Sequence, residues 1–128
     1  MHLFIAYWLP VICWMSIIFL LSSRPHFGIT GHTLYDFTIF KMLHMIEYAF
    51  LYFLVFRALY RSSMKTSQKQ LAYAAIFAVL YAISDEIHQR FVPTREGRLR
   101  DVFIDFAGIL ILWTYIKTHF EYVVKHFI

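Results

Sequence analysis

Charge and cysteine are both scarce in this sequence. Only 16% of the 128 residues are charged and a single residue, Cys13, is a cysteine, whereas 60% are hydrophobic and 20% are aromatic. Soluble globular domains are typically about 25% charged and roughly 45–50% apolar, so this composition indicates a membrane protein of one domain. A lone cysteine excludes an intramolecular disulfide and the cysteine-based metal motifs.

The first apolar segment, residues 3–22, also lacks the features of a cleaved signal peptide. It carries no charge and is long enough to cross a hydrocarbon core of about 30 Å. No basic region precedes it, and the sequence that follows it, SSRP, is a poor cleavage site. We therefore interpret this segment as a transmembrane helix, with a cleaved signal peptide as the weaker alternative.

Three further apolar segments follow, each interrupted by few or no ionisable residues. They are somewhat short for a full crossing, but flanking Tyr, Trp and Lys residues extend them to a workable length. The linkers contain Pro, Gly and Ser, which are turn and breaker signals. The sequence predicts an all-α membrane protein, a single-domain bundle of four transmembrane helices at about residues 3–22, 40–60, 70–88 and 101–118.

The basic residues do not indicate a nucleic-acid-binding protein, although the net charge is +4. They are scattered between apolar segments, so anionic lipid headgroups are the simpler partner. In a four-span topology the Lys and Arg residues divide six to six between the two membrane faces, which leaves the positive-inside count tied. We favour cytoplasmic termini in the cell membrane because the loop at 57–70 is purely basic.

The acidic residues are distributed asymmetrically. Seven of the eight belong to the membrane face opposite the termini, or to the helix ends nearest it, and only Glu121 lies elsewhere. In the second predicted helix Lys41, His44 and Glu47 are three residues apart, which places them on one stripe. Similar stripes begin at Asp85 and at Asp101. Ionisable groups inside transmembrane segments normally face the bundle interior, so we expect one polar site where the three stripes meet.

Metal binding and catalysis are less well supported by these residues. HMIE, at residues 44–47, is only half of a ligand signature, and DEIH, at residues 85–88, lacks the H-E-x-x-H arrangement. No motif presents a serine on a Gly-flanked turn. We expect no cofactor, and a role without known catalysis is favoured. If a reaction took place, His44 or His88 would be the natural proton carrier near neutral pH.

The stretch SDEIHQRFVPTREGRLRDVFIDFAGI, residues 84–109, resembles the signature of the VanZ-like family of small integral membrane proteins. LSSRP after the first segment and KMLHMIEYAFLYFL in the second are similar to further motifs of that family. One departure is Thr94, which precedes Arg95 where the family usually has Gly. The resemblance implies a small integral membrane protein, and the name-giving member is associated with low-level resistance to the glycopeptide teicoplanin.

These observations predict a polar site at the outer-leaflet face that binds or acts on a lipid or cell-envelope headgroup. The expected partners are membrane lipids or a lipid-linked envelope precursor, not nucleic acid, and the oligomeric state is left open. The alternatives are a structural or accessory protein and a small proton-coupled transporter. The candidate headgroup-binding residues are Lys41, His44, Glu47, Tyr48, Asp85, Glu86, His88, Gln89, Arg95, Asp101 and Asp105.

Overall fold

A computed structural model describes residues 2–25, 28–63, 68–95 and 97–128 of the chain. Within those ranges all regular secondary structure is helical. The helices are α1 (His2–Ser22), α2 (Thr33–Ser62), α3 (Lys69–Gln89), α4 (Leu99–Thr118) and α5 (Phe120–Phe127). Lys65 and Glu96, whose charges contributed to the counts for the two membrane faces, lie outside the described residues.

Three helices, α1, α2 and α3, are long and apolar enough to cross a membrane. α4 has a similar length of 20 residues, but Arg100, Asp101 and Asp105 occupy its first two turns and shorten its apolar stretch. The prediction of an all-α membrane protein is confirmed, and α1 to α4 correspond to the four predicted segments. The short α5 was not predicted, because eight residues are too few to cross a bilayer.

α2 begins at Thr33, earlier than the predicted boundary near residue 40. The added turns contain no Pro or Gly, and Asp36 lies in the first turn, where a carboxylate stabilises the positive end of the helix dipole. Asp36 also accepts hydrogen bonds from the backbone N–H groups of Ile29 at 3.1 Å and Thr30 at 2.8 Å. These bonds tie the preceding loop to α2 and extend the helix over the polar end of the bundle.

α2 is the central helix and packs against α1, α3 and α4, while α3 also packs against α4. It contributes more buried side chains to the core than any other helix, including Tyr48, Leu51, Tyr52 and Phe56, all of which are fully buried. α1 is apolar on every face, and most of its apolar side chains are exposed, for example Ile12 and Leu20. A helix that is apolar on every face, with little of it covered by protein, is typical of a lipid-facing span.

α2 and α4 approach each other closely at Gly108. A Cβ at this position would overlap the backbone carbonyl of Met45, so only glycine fits. Small residues at helix interfaces let transmembrane backbones approach in this way. The close approach brings Asp105, one turn earlier on α4, beside His44 of α2.

Candidate functional site

The predicted site residues lie at one end of the bundle, because α2 and α4 begin there and α3 ends there. α3 ends at Gln89 and α4 begins at Leu99, so residues 90–98 form the loop between them. Val92 is the one buried apolar side chain in the described part of this loop. The loop therefore lies over the bundle end, and its Arg95 and Arg98 lie beside the first turns of α2.

Lys41 and Asp101 join α2 to α4. The Lys41 Nζ lies 2.5 Å from the Asp101 Oδ2, and the two side chains are 19% and 7% exposed. The Asp101 Oδ1 is 3.6 Å from the Arg100 Nε, and the Arg100 guanidinium lies 5.1 Å from the centre of the Phe37 ring. A cation over an aromatic face is stabilised by the ring quadrupole, so Phe37 helps to hold Arg100 in place.

His44 lies one turn deeper on α2, between two carboxylates. Its Nδ1 is 3.9 Å from the Glu47 Oε2 and 4.0 Å from the Asp105 Oδ1. These separations allow electrostatic attraction but are too long for direct hydrogen bonds. Asp105 is almost completely buried, at 2% exposure. The Tyr48 hydroxyl is also buried, and it meets no hydrogen-bond partner of good geometry within the described residues.

Asp85 is the centre of a hydrogen-bond network that joins α1 to α3. Its Oδ2 accepts a hydrogen bond from the Ser22 hydroxyl at 2.8 Å and another from the Gln89 Nε2 at 2.9 Å. All three residues are buried. Burial of a carboxylate is unfavourable unless it accepts hydrogen bonds, and here two donors satisfy Asp85. The network therefore stabilises the packing of α1 against α3.

Arg95 continues the network into the loop. Its Nη1 donates to the Gln89 Oε1 at 3.3 Å, while its Nε and Nη2 donate to the carbonyls of Arg24 at 2.8 Å and Leu21 at 3.1 Å. The carbonyls at the end of α1 have no partner within that helix, and Arg95 provides donors for them. Partial burial lowers the pKa of the guanidinium, and the carboxylate of Asp85 opposes that shift.

Glu86 and His88 are directed to other neighbours. The Glu86 Oε1 accepts a hydrogen bond from the backbone N–H of Arg98 at 2.6 Å, which fixes the start of α4. His88 lies against α1, where its Nε2 is 3.0 Å from the Ser23 hydroxyl and its ring stacks on Phe19 with centroids 4.7 Å apart. Both residues hold the bundle end together.

A cavity of about 390 Å³ opens between α2, the 90–98 loop and the start of α4. It follows one face of α2 from Thr33 to His44, a distance of about 16 Å at 1.5 Å per residue. Four cationic side chains and one carboxylate line it, together with two phenylalanines. The lining residues are Thr33, Phe37, Phe40, Lys41, His44, Gln89, Thr94, Arg95, Arg98, Arg100 and Asp101.

The structure divides the predicted site residues into two groups. Five of them line the cavity: Lys41, His44, Gln89, Arg95 and Asp101. The other six do not: Glu47, Tyr48, Asp85, Glu86, His88 and Asp105. Most of the second group lie behind the cavity, where they pair with the first group or hold neighbouring helices, and His88 faces α1.

Sequence reasoning did not select six of the lining residues, among them Arg98 and Arg100. Thr33 and Phe37 were missed because α2 was predicted to begin near residue 40, and Phe40 was missed because only polar and charged residues of that helix were selected. Their spacing of three or four residues with Lys41 and His44 is a helical stripe that an earlier start would have revealed. Arg98 and Arg100 gave no such signal, because arginines in a loop next to the membrane are as consistent with anchoring at the interface as with ligand binding.

Among the described residues, no three His, Cys, Asp or Glu side chains are arranged to hold a metal ion. The cavity instead concentrates positive charge. Its cations would repel a metal and attract a phosphate or carboxylate, for which the guanidinium fork is well shaped. The arrangement can therefore bind an anion at the membrane interface.

Comparison with protein families identifies a match to the family model described as VanZ/LLP1 over residues 7–120. The matched region includes every residue that lines the cavity. The comparisons with curated proteins and with solved structures find no match. The family match covers most of the chain, which confirms the resemblance drawn from the motifs. The chain belongs to the VanZ/LLP1 family.

Proposed function

We propose that this membrane protein binds the anionic headgroup of a membrane lipid or a lipid-linked envelope precursor in the cavity beside α2. The observation that carries the proposal is the charge of the lining. Lys41, Arg95, Arg98 and Arg100 face one carboxylate, Asp101. This excess of positive charge favours an anionic ligand, and the cavity volume falls within the usual range for small-molecule sites.

The cations have different parts in this proposal. Arg95 is engaged with Gln89 and with the end of α1, and Lys41 is paired with Asp101, so both position the site. Arg98 and Arg100 are exposed at the start of α4, where a phosphate entering from the headgroup region meets them first. Phe37 and Phe40 provide an apolar wall beside the headgroup.

The orientation supports a site on the outer leaflet. With four crossings, the cavity lies at the end of the bundle opposite both termini. We propose that the termini are cytoplasmic and that the protein resides in the cell membrane, since the loop at 57–70 is purely basic. The cavity then faces the cell envelope. We also propose that ligand binding there is linked to resistance against glycopeptides of the teicoplanin type, as the family resemblance implies.

A structural role is favoured for part of the polar cluster by a specific observation. Asp85 and Glu86 are buried. Asp85 accepts hydrogen bonds from Ser22 and Gln89, and Glu86 accepts one from the backbone N–H of Arg98. We propose that these acids support the cavity from behind and do not contact the ligand. Asp85→Ala should therefore lower the amount of folded protein, whereas Arg100→Gln should not.

Native mass spectrometry of the purified protein in detergent tests headgroup binding directly. The protein is titrated with phosphatidylglycerol, which is anionic, or with phosphatidylcholine, which is zwitterionic. We expect wild type to retain phosphatidylglycerol preferentially. Arg98→Gln and Arg100→Gln should each weaken retention about tenfold, the size of one hydrogen bond to a charged group.

Arg90→Gln is the matched control for these variants. Arg90 belongs to the same loop and carries the same charge, but it is exposed and does not line the cavity. Its removal should leave lipid retention unchanged. Equal loss in all three variants would indicate general attraction to the membrane surface, and equal retention of the two lipids by wild type would refute the proposed function.

A further inference from the structure

Thr94 has a backbone conformation that threonine rarely adopts. Its φ is 66°, and it is the one residue other than glycine with a positive φ in the part of the chain that the structure describes. A β-branched side chain crowds the backbone in this region, whereas glycine adopts it without a steric penalty. Glycine at this position would make the loop more stable, so the threonine side chain is retained at a cost to stability.

Backbone strain of this kind clusters at active sites, ligand-binding loops and switch regions. Thr94 lines the cavity, directly before Arg95. The backbone around it is held on both sides. The Arg95 N–H donates to the Val92 carbonyl at 3.2 Å, and the Arg95 side chain is bonded to the end of α1. The direction of the Thr94 side chain is therefore set by the fold.

The cavity is also larger than a phosphate requires. Its volume of about 390 Å³ corresponds to roughly a dozen water-sized groups at about 30 Å³ each. A phosphate has only five heavy atoms, so the cavity has room for another part of the headgroup. The lining beyond the cations includes Thr33 and Thr94, and a threonine hydroxyl suits a partner that both donates and accepts hydrogen bonds.

We infer that the ligand of this cavity is a phosphorylated polyol, and that Thr94 is a specificity-determining residue whose hydroxyl forms a hydrogen bond with a hydroxyl of that ligand. The inference rests on the proposed function, because it names the ligand class of the same site. In this arrangement Arg98 and Arg100 bind the phosphate, and Thr94 distinguishes a hydroxylated headgroup from an alkyl one.

The test compares two lipids that differ only in their hydroxyls. Phosphatidylglycerol and phosphatidylpropanol are both phosphodiesters with one negative charge and a three-carbon headgroup, but only the first has hydroxyls on that headgroup. Native mass spectrometry of the full chain in detergent measures how much of each lipid is retained at equal concentration. We expect wild type to retain phosphatidylglycerol about fivefold better, the size of one neutral hydrogen bond.

Two variants separate the role of the hydroxyl from the role of the backbone. Thr94→Gly relieves the strain, so it should raise the thermal unfolding midpoint by roughly 3 °C and reduce the lipid preference to about one. Thr94→Val keeps the shape and the strain but lacks the hydroxyl. It should also lose the preference, without the gain in stability.

Each result has a defined consequence. Retention of phosphatidylglycerol and phosphatidylpropanol in equal amounts by wild type would overturn this inference and leave the proposed function standing. Retention of neither lipid would overturn both. A Thr94→Gly variant that keeps the fivefold preference would refute the assignment of Thr94, whether or not its stability changes.

Soluble glycerophosphoglycerol distinguishes the source of the ligand, since it has the same phosphodiester and headgroup hydroxyls without acyl chains. If it displaces phosphatidylglycerol at similar concentration, the site takes a free polyol phosphate. If it does not, the acyl chains contribute and the ligand is a lipid. Either result retains the polyol phosphate class.

Discussion

Replacing Gly108 with alanine tests the packing that creates the site. Alanine is the best helix former and glycine one of the worst, so helix propensity alone predicts that Gly108→Ala stabilises α4 by about 1 kcal/mol. The tertiary structure predicts the opposite. A Cβ at position 108 would overlap the carbonyl oxygen and carbonyl carbon of Met45, which are backbone atoms of α2 and cannot rotate away.

The size of the effect follows from these two opposing contributions. Overpacking a well-packed interface typically destabilises by about 1–3 kcal/mol, and the upper end applies here because the obstructing atoms are backbone. After subtracting the gain in helix propensity, we expect a net loss of about 2 kcal/mol. α2 and α4 would also separate locally, which would move His44 away from Asp105 and widen the cavity.

Thermal unfolding in detergent, followed by size-exclusion chromatography, measures this change. We expect the midpoint of Gly108→Ala to fall by roughly 5 °C or more. Ala72→Ser is the control, because it adds one heavy atom at an exposed position of α3 and should have little effect. An unchanged or higher midpoint for Gly108→Ala would refute the close approach of α2 and α4.

Two further predictions concern the polar contacts at the same end of the bundle. We expect a lower unfolding midpoint for both Ser22→Ala and Asp85→Ala, because the two side chains share a buried hydrogen bond. A double-mutant cycle should give a coupling free energy of about 1–2 kcal/mol between them. Losses of stability that simply add would contradict a direct contact. Lys41→Asp and Asp101→Lys should each reduce the yield of folded protein, because each leaves two like charges side by side, and combining them should restore part of it. A combined variant as poor as the worse single variant would argue against this pair.

Most of the fold could be predicted from the sequence. Four apolar segments in a chain with few charges are sufficient to predict an all-α membrane protein, because each backbone polar group in hydrocarbon must be satisfied within its own helix. The start of α2 was predicted too late, near residue 40. Residues 33–40 follow a linker that contains Pro25, Gly28 and Gly31, so they were assigned to that linker, and the contacts of Asp36 that extend the helix involve a neighbouring segment.

The sequence was less informative about the site. It predicted that Lys41, His44 and Asp101 lie close together, because the helices that carry them meet at one membrane face. It could not separate residues that line the cavity from those that support it. Asp85 and Arg95 belong to the same family motif, yet Asp85 is bonded behind the cavity and Arg95 lines it.

The sequence by itself was sufficient to assign a helical membrane protein, its family and the end of the bundle at which its charges gather. These features follow from hydropathy and helical spacing and from short motifs, which are local properties of the chain. Only the tertiary structure decided which charged side chains line the cavity. The lining of the cavity depends on how closely segments far apart in sequence approach each other, as at Gly108 and Met45. It also depends on the strained loop that places Thr94 and Arg95 beside the cavity.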